Sequence, residues 1–214
     1  GLIYAVPAII RLWRTAGSLV EAGQIAAIAL GGTAISIGQY YLVDGSRDAV
    51  LALVALATAL LPAGAAALGW RCETRNADLR FTTLATTTAL LAGTAAAIAL
   101  PAWSLAPVIG GIAALLLLLA NAAGDRRVEI SSWAFGLTAV MLLAYGDYAE
   151  GEFARIVGDY GSVALIDAVL RWTGLAAIAA LFAWRSTVRP VRAIAQGVAP
   201  VLAYGAIAQI VPVT

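Results

Sequence analysis

Long apolar runs separated by short turns recur along this chain, and each is long enough to cross a bilayer. The run Val163–Trp184 is typical. A helix rises about 1.5 Å per residue, so about 20 apolar residues span the hydrocarbon core, which is about 30 Å thick. Only 12% of the residues are charged and 62% are hydrophobic, whereas soluble domains carry about 25% charged residues. A water-soluble fold of 214 residues could not bury so much apolar surface, so the sequence predicts an all-α polytopic transmembrane helix bundle.

The turns divide the chain into a partial N-terminal helix and seven full spans. The partial helix, Gly1–Ile10, is only half a span and lacks the basic n-region of a signal peptide. The full spans are predicted at about Leu19–Val43, Ala49–Trp70, Phe81–Leu100, Leu105–Ala123, Ile130–Gly146, Val163–Trp184 and Ala193–Val211. Because both ends are apolar, we expect residues 1–214 to form a single transmembrane domain that is a fragment of a larger polytopic protein.

The arginines indicate a sidedness for these spans. All thirteen basic residues are Arg, and ten of them fall in alternate loops. Since Lys and Arg are enriched in cytoplasmic loops, we predict that the Arg-rich loops are cytoplasmic. These are the loops at Arg11–Arg14, Arg71–Arg80, Gly124–Glu129 and Arg185–Arg192. The loops at Asp44, Pro101 and Asp147–Ser162 are then predicted to face outside.

The composition argues against several kinds of chemistry. The chain has no His and a single Cys, Cys72, so it can form neither a Ser–His or Cys–His pair, nor a His-ligated metal site, nor an internal disulfide. A net charge of +1 gives no basis for nucleic-acid binding. No phosphate-binding loop or nucleophile elbow occurs. We therefore predict no cofactor or metal, and a non-enzymatic role in preference to an enzymatic one.

Asp167 and Arg171 form the candidate polar site. They are four residues apart in the run Val163–Trp184, so they lie on one side of a helix. Each ionised group costs about 3 kcal/mol at mid-bilayer, so neither is expected to face lipid unpaired. The functional interpretation is a proton or anion relay, or a substrate contact. The favoured structural interpretation is a snorkelling pair, in which Arg171 reaches back over Asp167 towards the headgroups.

Two prolines inside predicted spans, Pro62 and Pro200, are candidate helix breaks at similar depths. A proline frees backbone carbonyls and can form part of a transporter site, although prolines are also common in ordinary membrane helices. A third pattern consists of small residues that share a helix face and predict close helix packing rather than a hydroxyl-lined path. The residues concerned are Thr86, Gly93 and Ala97 in one span, and Gly32 and Ser36 in another.

The loop 147–162 is the longest and is acidic, with Asp147, Glu150, Glu152 and Asp159. Its spacing matches no calcium loop, so a solvated outer loop is the default prediction. The alternative is a short interfacial helix over Ala149–Val157, with Phe153 and Ile156 dipping into the membrane.

Serial Ala/Leu helices joined by short Arg-bearing loops resemble those of a family of large bacterial membrane proteins, the domain-of-unknown-function two-three-three-nine family. Two stretches illustrate the likeness, WAFGLTAVMLLAYGDY (Trp133–Tyr148) and LRWTGLAAIAALFAWRSTVRPVR (Leu170–Arg192). The resemblance implies a bacterial cytoplasmic-membrane protein with many helices in one chain. It implies no activity and no functional residues.

These observations favour a non-enzymatic component of a bacterial envelope transport or assembly system, handling a lipid or a small solute. The alternative is a structural subunit that packs against partner helices, and an intramembrane enzyme is weaker still. The expected partners are the lipid bilayer and helices of the same or another chain. A water-filled cavity that reaches Arg171 would favour transport, whereas a face of Gly, Ala and Thr against another chain would favour the structural role.

Overall fold

A computed structural model describes residues 2–14, 18–44, 49–70, 78–145, 147–157 and 163–211. In these ranges the chain forms nine α-helices and no strand. The helices are α1 (Leu2–Arg14), α2 (Leu19–Asp44), α3 (Ala49–Gly69), α4 (Leu79–Ala99), α5 (Ala102–Ala123), α6 (Arg126–Ala144), α7 (Asp147–Ile156), α8 (Leu165–Arg185) and α9 (Arg189–Ile210). Cys72 and Asp159, both named above, lie outside the described residues.

Seven of these helices, all except α1 and α7, are long and apolar enough to cross a membrane. Helix α1 is apolar but shorter, as predicted for a partial N-terminal helix. The all-α, multi-pass prediction is therefore confirmed, and the chain is an integral membrane protein whose helices contact lipid. Helix α7 occupies the region for which a solvated loop was the default prediction, so the helical alternative describes it better.

The chain divides into two compact units. The first comprises Gly1–Ala99 together with Ala122–Val128. Its core is built largely from alanine, because small side chains let the backbones of α2, α3 and α4 approach closely. One cluster brings together Ala29, Ala59 and Leu91, and another Ala52, Ala55 and Ala95.

Polar side chains hold α1 against the rest of the first unit. Trp13 donates from Nε1 to the carbonyl oxygen of Ala65 in α3 at 2.8 Å. Arg80 of α4 donates from Nη1 to the carbonyl of Leu12 at 2.7 Å, lies over the Trp13 ring and forms an ion pair with Asp78. Gly69 lets the Trp13 ring lie directly against the α3 backbone, since a Cβ at that position would overlap the ring.

Neither Pro62 nor Pro200 breaks its helix. Helix α3 continues through Pro62, which is buried, and α9 continues through Pro200, which is exposed. Of the two interpretations that the sequence allowed, the continuous helices fit prolines of ordinary membrane helices and not helix breaks. A proline removes one backbone donor, and the remaining hydrogen bonds of a long helix are sufficient to keep it continuous in a membrane setting.

The small residues singled out for packing differ in their surroundings within the chain. Gly93 is buried in α4 and Thr86 is partly buried, whereas Ala97 is exposed. In α2, Gly32 is exposed, with open space where a Cβ would stand, and Ser36 donates to the carbonyl of Gly32 in its own helix at 2.9 Å.

The second unit comprises Leu100–Asn121 and Glu129–Thr214. Its centre is the helical hairpin of α8 and α9, which are joined by residues 186–188. Trp172 and Leu175 of α8 pack with Leu202 and Ala206 of α9, and with apolar residues of α5 and α6. A second cluster joins Phe182 to Ala113, Leu117 and Ala195. Both ends of this hairpin carry a buried polar group.

Candidate functional site

A buried ion pair joins α7 to α8 in the second unit. Glu152 of α7 accepts a hydrogen bond on Oε1 from Nη1 of Arg171 at 2.8 Å. Its other carboxylate oxygen, Oε2, accepts one from Nε1 of Trp172 at 3.0 Å. The residue exposures of Glu152 and Arg171 are only 0% and 1%, so two opposite charges are removed from solvent together.

Arg171 has two further contacts. Its Nη2 donates to the carbonyl oxygen of Leu142 in α6 at 3.1 Å. Its guanidinium carbon lies 5.4 Å from the centre of the Tyr148 ring, a cation–π distance. The guanidinium thus contacts α6 and α7 in addition to its own helix, which fixes its position relative to three elements.

Gln209 of α9 completes the cluster. Its side-chain amide donates from Nε2 to the backbone carbonyl of Glu152 at 3.2 Å. Two atoms of the cluster remain without a hydrogen-bond partner in the described part of the chain, although they are buried: Nε of Arg171 and Oε1 of Gln209. Glu152 therefore satisfies only part of the hydrogen-bonding capacity around it. We call Arg171, Trp172 and Gln209 the arginine cradle.

The surroundings of Glu152 favour the neutral form of its carboxyl group more than exposure to water would. Burial raises the pKa of this carboxyl, and the attraction of Arg171 and the hydrogen bond from Trp172 only partly reverse that effect. Burial disfavours the charged form of any acid. A proton therefore binds Glu152 more readily than it binds an exposed glutamate.

The sequence identified Arg171 but assigned it the wrong partner. In the structure Arg171 pairs with Glu152, and within the described ranges no ion pair links it to Asp167, which is partly exposed one helical turn earlier. The pattern of four-residue spacing identifies neighbours on one helix only. Glu152, Trp172 and Gln209 were missed because their contacts join different helices. No signal in the sequence singles out Glu152, because only the structure shows that it and Ala149, three residues earlier, form the buried face of α7.

A second buried carboxylate lies at the other end of the α8–α9 hairpin. Glu129 of α6 is 2% exposed. Its Oε1 accepts hydrogen bonds from Oγ of Ser186 at 2.7 Å and from the backbone N–H of Thr187 at 2.9 Å, and its Oε2 accepts one from the Thr187 hydroxyl. Helix α9 has no cap from its own side chains. Glu129 therefore supplies the negative group that a helix N-terminus favours, and its role is structural.

The surroundings contain no built metal site, because the described residues include no group of three or more His, Cys, Asp or Glu side chains that could hold an ion. A shallow apolar groove of about 290 Å³ lies beside the arginine cradle on the surface of α8 and α9. Its lining consists of Thr173, Ala176, Ala203, Ala206, Ile207 and Ile210. Arg171 is not among these residues, so this groove is suited to an acyl chain rather than to a charged group.

Comparisons with protein-family models, with curated proteins and with solved structures give no match to this chain. The interpretation of the site therefore rests on its geometry.

Proposed function

We propose that this protein is a non-enzymatic component of a bacterial envelope transport or assembly system. The observation that supports this most is the Glu152–Arg171 pair, which places two ionisable groups inside an apolar helical unit. Ionisable residues within membrane segments are rare and usually belong to pathways for ions, protons or substrates. The Arg171 side chain lies within α8, a helix that is long enough to span the bilayer.

Stability alone is a poor explanation for such a pair. Removing two charges from water is expensive, and replacing a buried ion pair by apolar residues of similar size is often neutral or stabilising. The neighbouring cluster around Leu175 and Leu202 shows how well apolar side chains pack in this unit. A chain under selection for stability alone would be expected to extend that packing to position 171.

The proposal includes a location and a sidedness. The Arg-rich loops lie in the cytoplasm of a bacterium and the protein lies in its inner membrane, as the Arg count and the likeness to the domain-of-unknown-function two-three-three-nine family suggest. In that orientation α7 lies on the outer side, where Glu152 and Arg171 face the periplasmic half of the bilayer.

Complementation of a deletion strain tests the proposal. The test variant carries Glu152→Leu and Arg171→Met together, which removes the charges and keeps the apolar volume. We expect this protein to reach normal membrane levels and to fold, yet to leave the envelope defect of the deletion strain uncorrected. Asp167→Asn is the matched control and should correct that defect. Full restoration by the double variant would assign the pair a structural role and would overturn the transport proposal.

A specific observation favours the structural alternative as the second candidate. Helix α2 presents glycines for which an added Cβ would meet open space, namely Gly23, Gly31, Gly32 and Gly38. Small residues at such spacing allow another membrane helix to approach closely. If α2 packs against a partner, Gly31→Leu should abolish the larger assembly in native gel electrophoresis of detergent extracts, whereas Leu30→Ile should preserve it. An unchanged assembly with Gly31→Leu would exclude this face.

A further inference from the structure

We propose that the arginine cradle is an anion-binding site, which Glu152 fills from within the chain and which a carboxylate or phosphate group from outside the chain fills when α7 moves away. The inference rests on the proposed transport or assembly function and deepens it, because it names the chemical class of the ligand. The Arg171 guanidinium is the group that recognises the anion, and Trp172 and Gln209 provide further hydrogen-bond donors.

The donors of the cradle converge in the way that an oxyanion requires. Arg171 Nη1 and Trp172 Nε1 donate to the two different oxygens of one carboxylate, at 2.8 and 3.0 Å. Gln209 Nε2 donates to the backbone oxygen of the same residue. Arginine is favoured wherever planar recognition of carboxylate or phosphate is needed. Glu152 is therefore held as a bound ligand would be.

Glu152 is also an incomplete ligand for this site. Arg171 uses Nη1 for Glu152 and Nη2 for the carbonyl of Leu142, which leaves its buried Nε–H without an acceptor. A buried donor without an acceptor is unfavourable. A phosphate has more acceptor oxygens than a carboxylate, and a freely placed anion is not tied to the backbone of α7. An external anion can therefore satisfy the one donor of the cradle that Glu152 leaves unpaired, Nε of Arg171.

The position of α7 makes an exchange of ligands physically reasonable. Helix α7 has ten residues and does not span a membrane. Phe153 is 51% exposed and Val157, which follows the helix, is 79% exposed, so this face lies at the surface of the unit. Protonation of Glu152 weakens its attraction to Arg171, and the burial of this carboxyl makes protonation easier than in water. The other charged residues of α7 are Asp147, Glu150 and Arg155, and Asp167 lies one turn before Arg171 on α8.

The depth of Arg171 suits an anion that arrives at a membrane surface. Arg171 is the seventh residue of α8, which places it about 9–10 Å along the helix from its start. A lipid phosphate and a free phosphate or carboxylate offer the same oxyanion chemistry at that depth. The apolar groove of Thr173, Ala176 and Ile207 beside the cradle would give an acyl chain a surface to lie on.

Binding measurements on the purified protein test the proposal. Inorganic phosphate and acetate are titrated by isothermal calorimetry into the protein in a neutral detergent. Phosphatidylglycerol and phosphatidylcholine are compared by native mass spectrometry of protein released from mixed nanodiscs. The variant Glu152→Gln replaces the internal carboxylate by a neutral group of the same shape. Because a site filled by an internal competitor has a reduced apparent affinity, we expect Glu152→Gln to bind the anion about tenfold more tightly than the parent.

The same measurements include variants that should lose or keep the anion. Glu152→Gln combined with Arg171→Gln should lose binding entirely, and Asp167→Asn should bind like the parent. If the Arg171→Gln variant does not fold, Arg171→Lys replaces it, because it keeps the charge and removes the guanidinium fork; it should bind several-fold more weakly.

Each outcome decides the matter. Tighter binding of phosphate or acetate by Glu152→Gln supports a free anion, and selective retention of phosphatidylglycerol supports a lipid headgroup. Equal affinity of the parent and Glu152→Gln, or binding that survives the loss of Arg171, would overturn the anion site. The complementation experiment is independent of these readouts. A charge-free double variant that fails to complement, together with an absence of anion binding, would leave the proposed function standing and reject the anion site alone.

Discussion

Glu152 and Arg171 are 19 residues apart in the chain and 2.8 Å apart in space, on two helices of which only one is long enough to span a bilayer. The pair connects α7, which is too short to span the bilayer, to a charged side chain of α8, which is long enough to do so. Burial makes the glutamate easier to neutralise than an exposed one. The two partners are therefore expected to respond differently to substitution.

Arg171→Gln should lower the free energy of unfolding by about 3–5 kcal/mol at neutral pH, because it leaves the Glu152 carboxylate buried without a cation. The double variant with Glu152→Leu and Arg171→Met should recover most of the stability that a substitution of Arg171 alone removes. Thermal unfolding in detergent, followed by circular dichroism, measures both effects. Asp167→Asn is the matched control and should stay within about 0.5 kcal/mol of the parent. An equal loss in Asp167→Asn would make Asp167 the true partner.

The stability of the parent should depend on pH through Glu152. Since burial raises its pKa in the folded protein, the neutral carboxyl stabilises the fold. That contribution is fully present below the ordinary glutamate pKa of about 4.3 and is lost as the pH rises through the higher folded value. The unfolding temperature of the parent, measured against that of Glu152→Gln, should therefore fall across this window. A difference that rises with pH would mean that the Arg171 attraction outweighs burial.

Gly205 should not tolerate a larger side chain. A Cβ at this position would overlap the six-membered ring of Trp172, which lies directly against α9. Gly205→Ala is expected to destabilise the protein by about 1–3 kcal/mol through overpacking. Gly197→Ala in the same helix meets open space and should be neutral or stabilising by up to about 1 kcal/mol, because alanine favours the helix. Chemical unfolding of the two variants compares them. Equal stability would place Trp172 elsewhere.

Glu129→Ala should loosen the turn between α8 and α9. It removes the acceptor of the buried Ser186 hydroxyl and of the Thr187 donors, which belong to an exposed residue. The buried hydroxyl left unpaired is unfavourable by about 1–3 kcal/mol. Hydrogen exchange of the Thr187 amide should accelerate in this variant. Glu150→Ala, which removes an exposed acid, is the control and should leave that exchange rate unchanged. An unchanged exchange rate in Glu129→Ala would show that the structure of the turn does not depend on Glu129.

Impermeant maleimide labelling of intact cells checks the proposed sidedness. Cys72, the single cysteine, belongs to a loop predicted to be cytoplasmic and should not react. In a Cys72→Ser background, Glu150→Cys should react, because α7 is predicted to face outside. The reverse labelling pattern would invert the topology, and with it the side from which an anion reaches Arg171.

The spans could be predicted from the sequence because lipid removes most of the alternatives. In a membrane every backbone polar group needs an internal partner, so an apolar run of about 20 residues becomes a helix almost regardless of its neighbours. The run Val163–Trp184 accordingly appears as α8 over Leu165–Arg185. The acidic stretch of α7 lacked that constraint, since its residues suit water, an interface or a protein surface equally well.

The partner of Arg171 could not be read from the sequence for a related reason. The loop 147–162 contains four acidic residues, and nothing in their order distinguishes Glu152 from Glu150. Only the packing of α7 against α8 and α9 buries one and exposes the other. Glu129 was assigned to a loop for the same kind of reason, because its partners Ser186 and Thr187 are more than fifty residues further along the chain.

The direction of the chain gives the Glu152–Arg171 pair a consequence for biogenesis. A ribosome makes Glu152 before Arg171, and Gln209 last, so the carboxylate already exists when the arginine leaves the exit tunnel. The segment that carries Arg171 can therefore enter the membrane with its counter-charge already made, 19 residues ahead of it. Helix α7 can in this way provide the counter-charge of Arg171 while α8 inserts. Gln209 joins the cluster once α9 has been made.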